Sequence, residues 1–441
     1  MLKSLDRIDY TFIVILIIGS FLRLLFVSIS PLNRDSYTFI HAAAGILEVQ
    51  YNKYGTFRPP GFPLVIAPFI LLTNNNYVLS AKLAAFSTSI LLIFYNYYIF
   101  TQASKKLYAN GNKKKVIKAK LVGLFVSSLI TFNLYFVVHP GFGLREELLC
   151  ILCILIFYYI VVKEEMKLKD NIYLALSITY LTLTLITAGF FFTIGIILFF
   201  LISKLKFFEF KKLSVNKICI IIFSFIISFL IWAIFSAFVF GDAFYNWQKQ
   251  SDFFEDFYGM RLDSIENIIQ AIINALLGGV LFQFYYFFLL TSIVFTIIFF
   301  YFLIKNLKKK QFLFIFLVFG LNLLYLSIFI APSQIINIPN SVRVMMYFFP
   351  IIIYLGAIPL INSLLGLYEG KYKFKKNMIG LFIIFLITYS LKGLSFIIYL
   401  GYEGIPFLIH PLYLTLVSIN EISLLIYLII VIKKEILVIK N

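Results

Sequence analysis

A few charged residues stand immediately beside long apolar runs, where polar chemistry could be carried out at the edge of a membrane. Asp35 closes the stretch Asn33-Arg34-Asp35 that follows the first of these runs. A carboxylate there could act as a general base on an attacking hydroxyl, or simply cap the helix predicted by the residues after it. Arg145-Glu146-Glu147 falls in the short gap between two other apolar runs. Two carboxylates beside a guanidinium are costly at the mouth of a bundle unless partnered, and in a first helical turn they would also favour its positive end. Arg58, Arg145 and Arg343 carry planar forks suited to a phosphate, with Lys82 a weaker member of the set. Each could equally anchor the chain at the membrane interface. Tyr37, His41 and His139 lie on the same predicted face and are read as substrate contacts. His139 with Glu146 is a conceivable metal site, but no His-x-x-His or similar spacing supports it, so no metal ligands are assigned and a divalent cation stays an open option. The mixed segment Asp252-Phe253-Phe254-Glu255-Asp256-Phe257-Tyr258 could bind a sugar or a divalent cation through oxygens, or be a solvated loop, and Trp247 could stack on a sugar ring.

The elements that must position these residues follow from composition. The chain has 441 residues, 62% of them hydrophobic and 13% charged. A soluble domain of this size would need roughly twice that charge to cover its surface. Apolar runs of about 20 residues recur along the whole length, each long enough to cross a hydrocarbon core. In lipid every backbone polar group needs an internal partner, so such runs must be helices. An all-α, polytopic membrane protein of about 11–13 transmembrane helices is expected, forming one transmembrane domain over residues 1–441. The spans fall near 10–30, 78–101, 121–138, 147–162, 172–187, 189–203, 218–240, 281–304, 311–330, 344–366, 378–399 and 412–432. The fifth and sixth are short and are expected to join around Ala188-Gly189. The run after Lys3 and Arg7 is followed by no small-residue cleavage site and reads as a retained first helix. Cys150 and Cys153 form a C-x-x-C inside an apolar run and read as small core residues.

The formal charge of +18 is not a nucleic-acid footprint. With the N-terminus placed in the cytoplasm, the inside segments hold 28 of the 38 Lys and Arg residues, the distribution produced by the positive-inside rule. Both termini are then cytoplasmic and the chemically varied loops extracytoplasmic. Two of those loops are large, 31–77 and 241–280. In the first, Ser36 to Tyr54 reads as a helix with the stripe Tyr37, Ile40, Ala44, Leu47 and Tyr51. Gly55 is its stop, Arg58-Pro59-Pro60-Gly61-Phe62-Pro63 a rigid turn, and 62–72 a piece too short to span. In the second, Asp263 and Glu266 open an apolar helical pattern that ends at Gly278-Gly279. Both loops are expected to lay helices along the membrane surface.

Three patches together resemble the GT-C glycosyltransferases, in the branch of the protein O-mannosyltransferases and the aminoarabinose transferases of lipid A. They are Arg34-Asp35-Ser36-Tyr37 through Ala42-Ala43-Ala44 and on to the Arg58–Pro63 turn; Glu146-Glu147-Leu148-Leu149; and Ser341-Val342-Arg343 leading to Pro350. The resemblance implies a GT-C-like fold, a polyprenyl-phosphate sugar donor, and inverting transfer to an extracytoplasmic protein, lipid or glycan acceptor. It would make Asp35 the general base. Glu146 or Glu147 would orient acceptor or donor, and Arg58, Arg145 and Arg343 would hold the phosphate. A transporter or lipid flippase is the alternative. Against it, the only notable ionisable residues in the spans are Arg23, Lys392 and Glu421, read as isolated or near helix ends.

Overall fold

The computed structural model describes residues 6–30, 32, 34–48, 59–108, 113–205, 214–245, 293–329, 349–368, 379–389 and 418–427, with a few single positions besides. Every regular element among them is a helix. Three are long and apolar enough to cross a membrane: Arg7–Ile29, Tyr77–Leu107 and Val215–Ala237.

Helix α1 (Arg7–Ile29) starts at a capping box, in which Asp6 accepts from the amides of Ile8 and Asp9 while Asp9 accepts from the amide of Asp6. Only Phe12, Gly19, Arg23 and Val27 of this helix are buried, so it rests on the bundle along one narrow stripe. Two short helices follow, α2 (Arg34–Leu47) and α3 (Gly61–Leu72). Asn74 and Asn75 then turn the chain through left-handed backbone, and Asn76 caps α4 (Tyr77–Leu107). Helix α5 (Lys113–Phe132) runs antiparallel along α4 and packs closely against it. A Cβ on Gly123 would stand 2.1 Å from Thr101 Oγ1 and 2.7 Å from the Tyr97 carbonyl oxygen, so only a glycine allows this fit.

After α5 come α6 (Leu134–Val138), a 3₁₀ turn (His139–Phe142), and α7 (Glu146–Phe157), which continues as a π-helical turn to Val162. Helix α7 is buried on nearly every side, as expected of a helix apolar all round. Helices α8 (Leu168–Thr184), α9 (Ile186–Ser203) and α10 (Val215–Phe240) pack beyond it, followed by α11 (Ile293–Lys305), α12 (Lys310–Phe329) and α13 (Phe349–Tyr368).

Several sequence expectations need correction. The run 121–138 is not one straight helix, because it breaks at Asn133, and Lys115–Phe132 and Phe136–Phe142 meet at 73°. The carbonyls of Ile130 and Thr131, which a continuing helix would offer to residues 134 and 135, accept instead from Arg23. The fifth and sixth expected spans join at extended Leu185 rather than at Ala188-Gly189. Gly189 marks close packing instead, since a Cβ there would lie 2.8 Å from the Thr182 Cα. In α2 the expected stripe is rotated. Ile40 and Ala44 are buried with Phe39, Ala42 and Ala43, whereas Tyr37 and Leu47 are exposed. Tyr51, Gly55 and nearly all of 246–280 lie outside the described residues.

Candidate functional site

The ion pairs and capping contacts sort the helices into two polar ends. At one end, Lys120 bridges Asp6 and Asp9 at 2.9 and 2.6 Å, with Asp9 also accepting from Tyr97. Lys163 pairs with Asp170 at 2.6 Å and Lys106 with Glu164 at 2.8 Å. The ion-paired residues belong to segments 1–9, 102–120 and 163–171, which the charge distribution groups on one side. The other end gathers the finish of α1, the starts of α2, α3, α4 and α7, and the finish of α8.

The second end holds a buried acid–imidazole cluster. The break at Asn133 turns α6 and the 3₁₀ turn back over the bundle. Gly143 ends that turn in left-handed backbone (φ +69°), where a Cβ would also stand 2.9 Å from Leu32. The chain then enters α7 with Glu146 and Glu147 in its first turn. His139 Nδ1 lies 2.6 Å from Glu147 Oε1, and Nε2 lies 3.7 Å from Glu146 Oε2. With its hydrogen on Nδ1, the imidazole donates to Glu147, which fixes the ring orientation. All three residues are at most 4% exposed. Sequence reading set the two glutamates in an outside loop at the bundle mouth. They are instead packed inside, because the 3₁₀ turn folds His139 onto the start of α7 while α4 and α8 pack along that helix. A charge-assisted pair at this depth is strong, and it leaves Glu147 Oε2 without a hydrogen-bond partner among the described residues.

Basic residues surround the cluster, each seated on helix-terminal carbonyls. Arg145 donates from Nη1 to the Thr184 carbonyl, the last of α8, at 2.7 Å, and its guanidinium lies 5.2 Å from the centre of the Phe39 ring of α2. Lys82 donates to the carbonyls of Val27 and Ser30 at the end of α1, at 2.9 and 2.6 Å. Cations at helix C-termini meet both the unpaired carbonyls and the negative end of the dipole. Arg23, far from isolated, is completely buried. Its Nε donates to Ser89 Oγ at 2.6 Å, Nη1 to the carbonyls of Gly19 and Thr131, and Nη2 to that of Ile130.

The start of α2 touches this cluster through its neighbour in sequence: the Ser36 hydroxyl donates to the Phe142 carbonyl. Asp35 thus belongs to a helical turn tied to the loop that leads into Glu146. The geometry groups His139, Glu146, Glu147, Arg145 and the backbone of Asp35 at one end, with Lys82 engaged on α1. Tyr37 and His41 are exposed on α2. Arg58, Arg343, Trp247, His410 and the 252–258 segment lie outside the described residues. Among the described residues, no group of three His, Cys, Asp or Glu side chains could hold a metal ion. Cys150 and Cys153 are both buried and unbridged, as expected of core residues.

Comparison with known protein families, with characterised proteins and with solved structures gives no match to this chain.

Sequence reading missed three contributors. Arg23 carried a signal, since an arginine inside an apolar run calls for a named partner. The Thr184 carbonyl and Ser36 carried none, because a backbone acceptor or a serine in a loop looks like any other.

Proposed function

We propose that this chain is a polytopic membrane glycosyltransferase of GT-C type, with both termini cytoplasmic. It takes a sugar from a polyprenyl-phosphate donor and passes it, with inversion, to an extracytoplasmic acceptor. Asp35 removes the proton from the acceptor hydroxyl as the anomeric bond to phosphate breaks. The phosphate leaves with stabilisation from arginine rather than from a strong general acid. Glu146 and Glu147, held by His139, shape the acceptor side of the site. Helices α2 and α3 lie along the outer membrane surface, where a lipid-borne donor presents its head group.

The observation that carries this reading is the Ser36–Phe142 hydrogen bond. It joins the helical turn bearing Asp35 to the loop that delivers His139 and the two glutamates, so residues far apart in sequence share one end of the bundle.

The test uses the purified protein in nanodiscs with a polyprenyl-phosphate hexose and follows release of polyprenyl phosphate. Asp35→Asn is expected to lower turnover by about 100-fold or more, the usual scale of a lost general base; undiminished turnover removes Asp35 from the mechanism. Topology is checked separately with a Cys219→Ser background, because Cys219 is the exposed thiol among the described residues. A cysteine at Asn74 should then react with an impermeant maleimide in intact cells, and labelling only after permeabilisation sinks the reading.

The buried His139–Glu147 pair favours a second reading, a proton-coupled transporter or lipid flippase, since ionisable groups inside a membrane bundle mark such pathways. Proton-driven uptake into proteoliposomes without consumption of the donor would select it.

A further inference from the structure

Arg23 lies six residues before the end of α1, roughly 9 Å along the helix axis from that end. A guanidinium buried there needs most of its donors filled. Four bonds do this, and they come from three helices: the Gly19 carbonyl of α1, Ser89 of α4, and the Ile130 and Thr131 carbonyls of α5. The two α5 carbonyls are among the four that its C-terminus leaves without helical partners, so the arginine caps α5 from inside the bundle. Room is made for it by Gly19, where a Cβ would stand 2.3 Å from Thr131 Cγ2 and 3.4 Å from Arg23 Nη1.

We propose that Arg23 is the positioning residue of the His139–Glu146–Glu147 cluster. It fixes the break after α5, from which the chain swings His139 back onto Glu147. This deepens the reading of those three residues as a functional site, but it concerns how the site is built and not what is transferred there.

Two measurements on the full-length protein in detergent micelles test it, neither using a sugar donor. The first is a thermal-stability cycle of Arg23→Gln, Glu147→Gln and the double variant. If Arg23 sets His139 on Glu147, Arg23→Gln already loosens that contact, and Glu147→Gln then has less left to remove. The loss of Tm in the double variant should therefore fall clearly short of the sum of the single losses; additive losses would overturn the positioning role. A cap on α5 with no bearing on His139 would give additive losses, because Glu147 would then take no part in what Arg23 holds. The second is hydrogen exchange in Arg23→Lys, which keeps the charge but lacks the fork. Exchange should rise in residues 133–143 while α8 and α9 keep their protection; unchanged exchange in 133–143 would overturn the clamp. If Arg23→Gln fails to fold, the lysine variant still decides the matter. Loss of the glycosyl-transfer reading would leave both outcomes as they stand, and failure of both would leave the Asp35 assay untouched.

Discussion

The two ends of the bundle use charge in opposite ways. At the lysine-rich end carboxylates meet lysines, from the exposed pair Lys106–Glu164, 43% and 49% exposed at the side chains, to Lys163–Asp170, whose aspartate is buried. At the other end, two glutamates and a histidine are enclosed, while the nearby cations Arg23, Arg145 and Lys82 seat themselves on helix-terminal carbonyls. Exposed pairs contribute little to stability and are easily replaced. Enclosed charges are expensive to bury and more expensive to strand. The contrast separates an end where lysines partner carboxylates from one where two carboxylates are enclosed with a histidine.

The sharpest way to break the contrast is to remove one enclosed carboxylate. Glu147→Ala strands His139 in the bundle, and an unfolding titration should show a loss of about 3–5 kcal/mol. A loss below about 1 kcal/mol would mean that the buried end is no more demanding than the exposed one. Next is a packing change beside the cluster. A Cβ on Gly61 would stand 2.7 Å from the Thr184 backbone, the same residue whose carbonyl accepts from Arg145. Gly61→Ala should therefore lower stability by about 1–3 kcal/mol, as overpacking does, and thermal unfolding would read it.

At the lysine-rich end the expected effects are smaller and depend on pH. Asp170 is held below the usual carboxylate range, chiefly by its hydrogen bond from Lys163 and also by the amide of Lys167. A depressed carboxylate adds stability that is present near neutrality and disappears as the pH falls through its lowered value. Acid titration of stability should show this component, and Lys163→Ala should diminish it. The smallest effect belongs to Lys106→Ala, which should change stability by less than about 1 kcal/mol and less still at high salt.

Much of this division was legible in the sequence. The lysine clusters and the apolar runs place the helices, and Glu146-Glu147 beside Arg145 marks the buried end. What could not be read is how deep those residues sit. The depth comes from the break at Asn133, and the break comes from Arg23, 107 residues away in sequence from one of the carbonyls it takes. No local pattern around Asn133 announces a partner so distant. The orientation of α2 was misread for a similar reason. A stripe at spacings of three and four fits more than one face, and the choice was made by contacts with α3 and α4. Gly189 shows the same limit, since a glycine cue for a turn proved to be a glycine required by a neighbouring helix.

The grip of Arg23 also bears on how the protein is made. Its partners at Ser89 and Thr131 lie 66 and 108 residues further along the chain. During synthesis α1 therefore reaches the bilayer with an unsatisfied guanidinium and only a thin line of future contacts. It stays a reluctant guest in lipid until α5 has emerged, and an insertase that shelters the nascent first helix for that interval would govern the yield of folded protein.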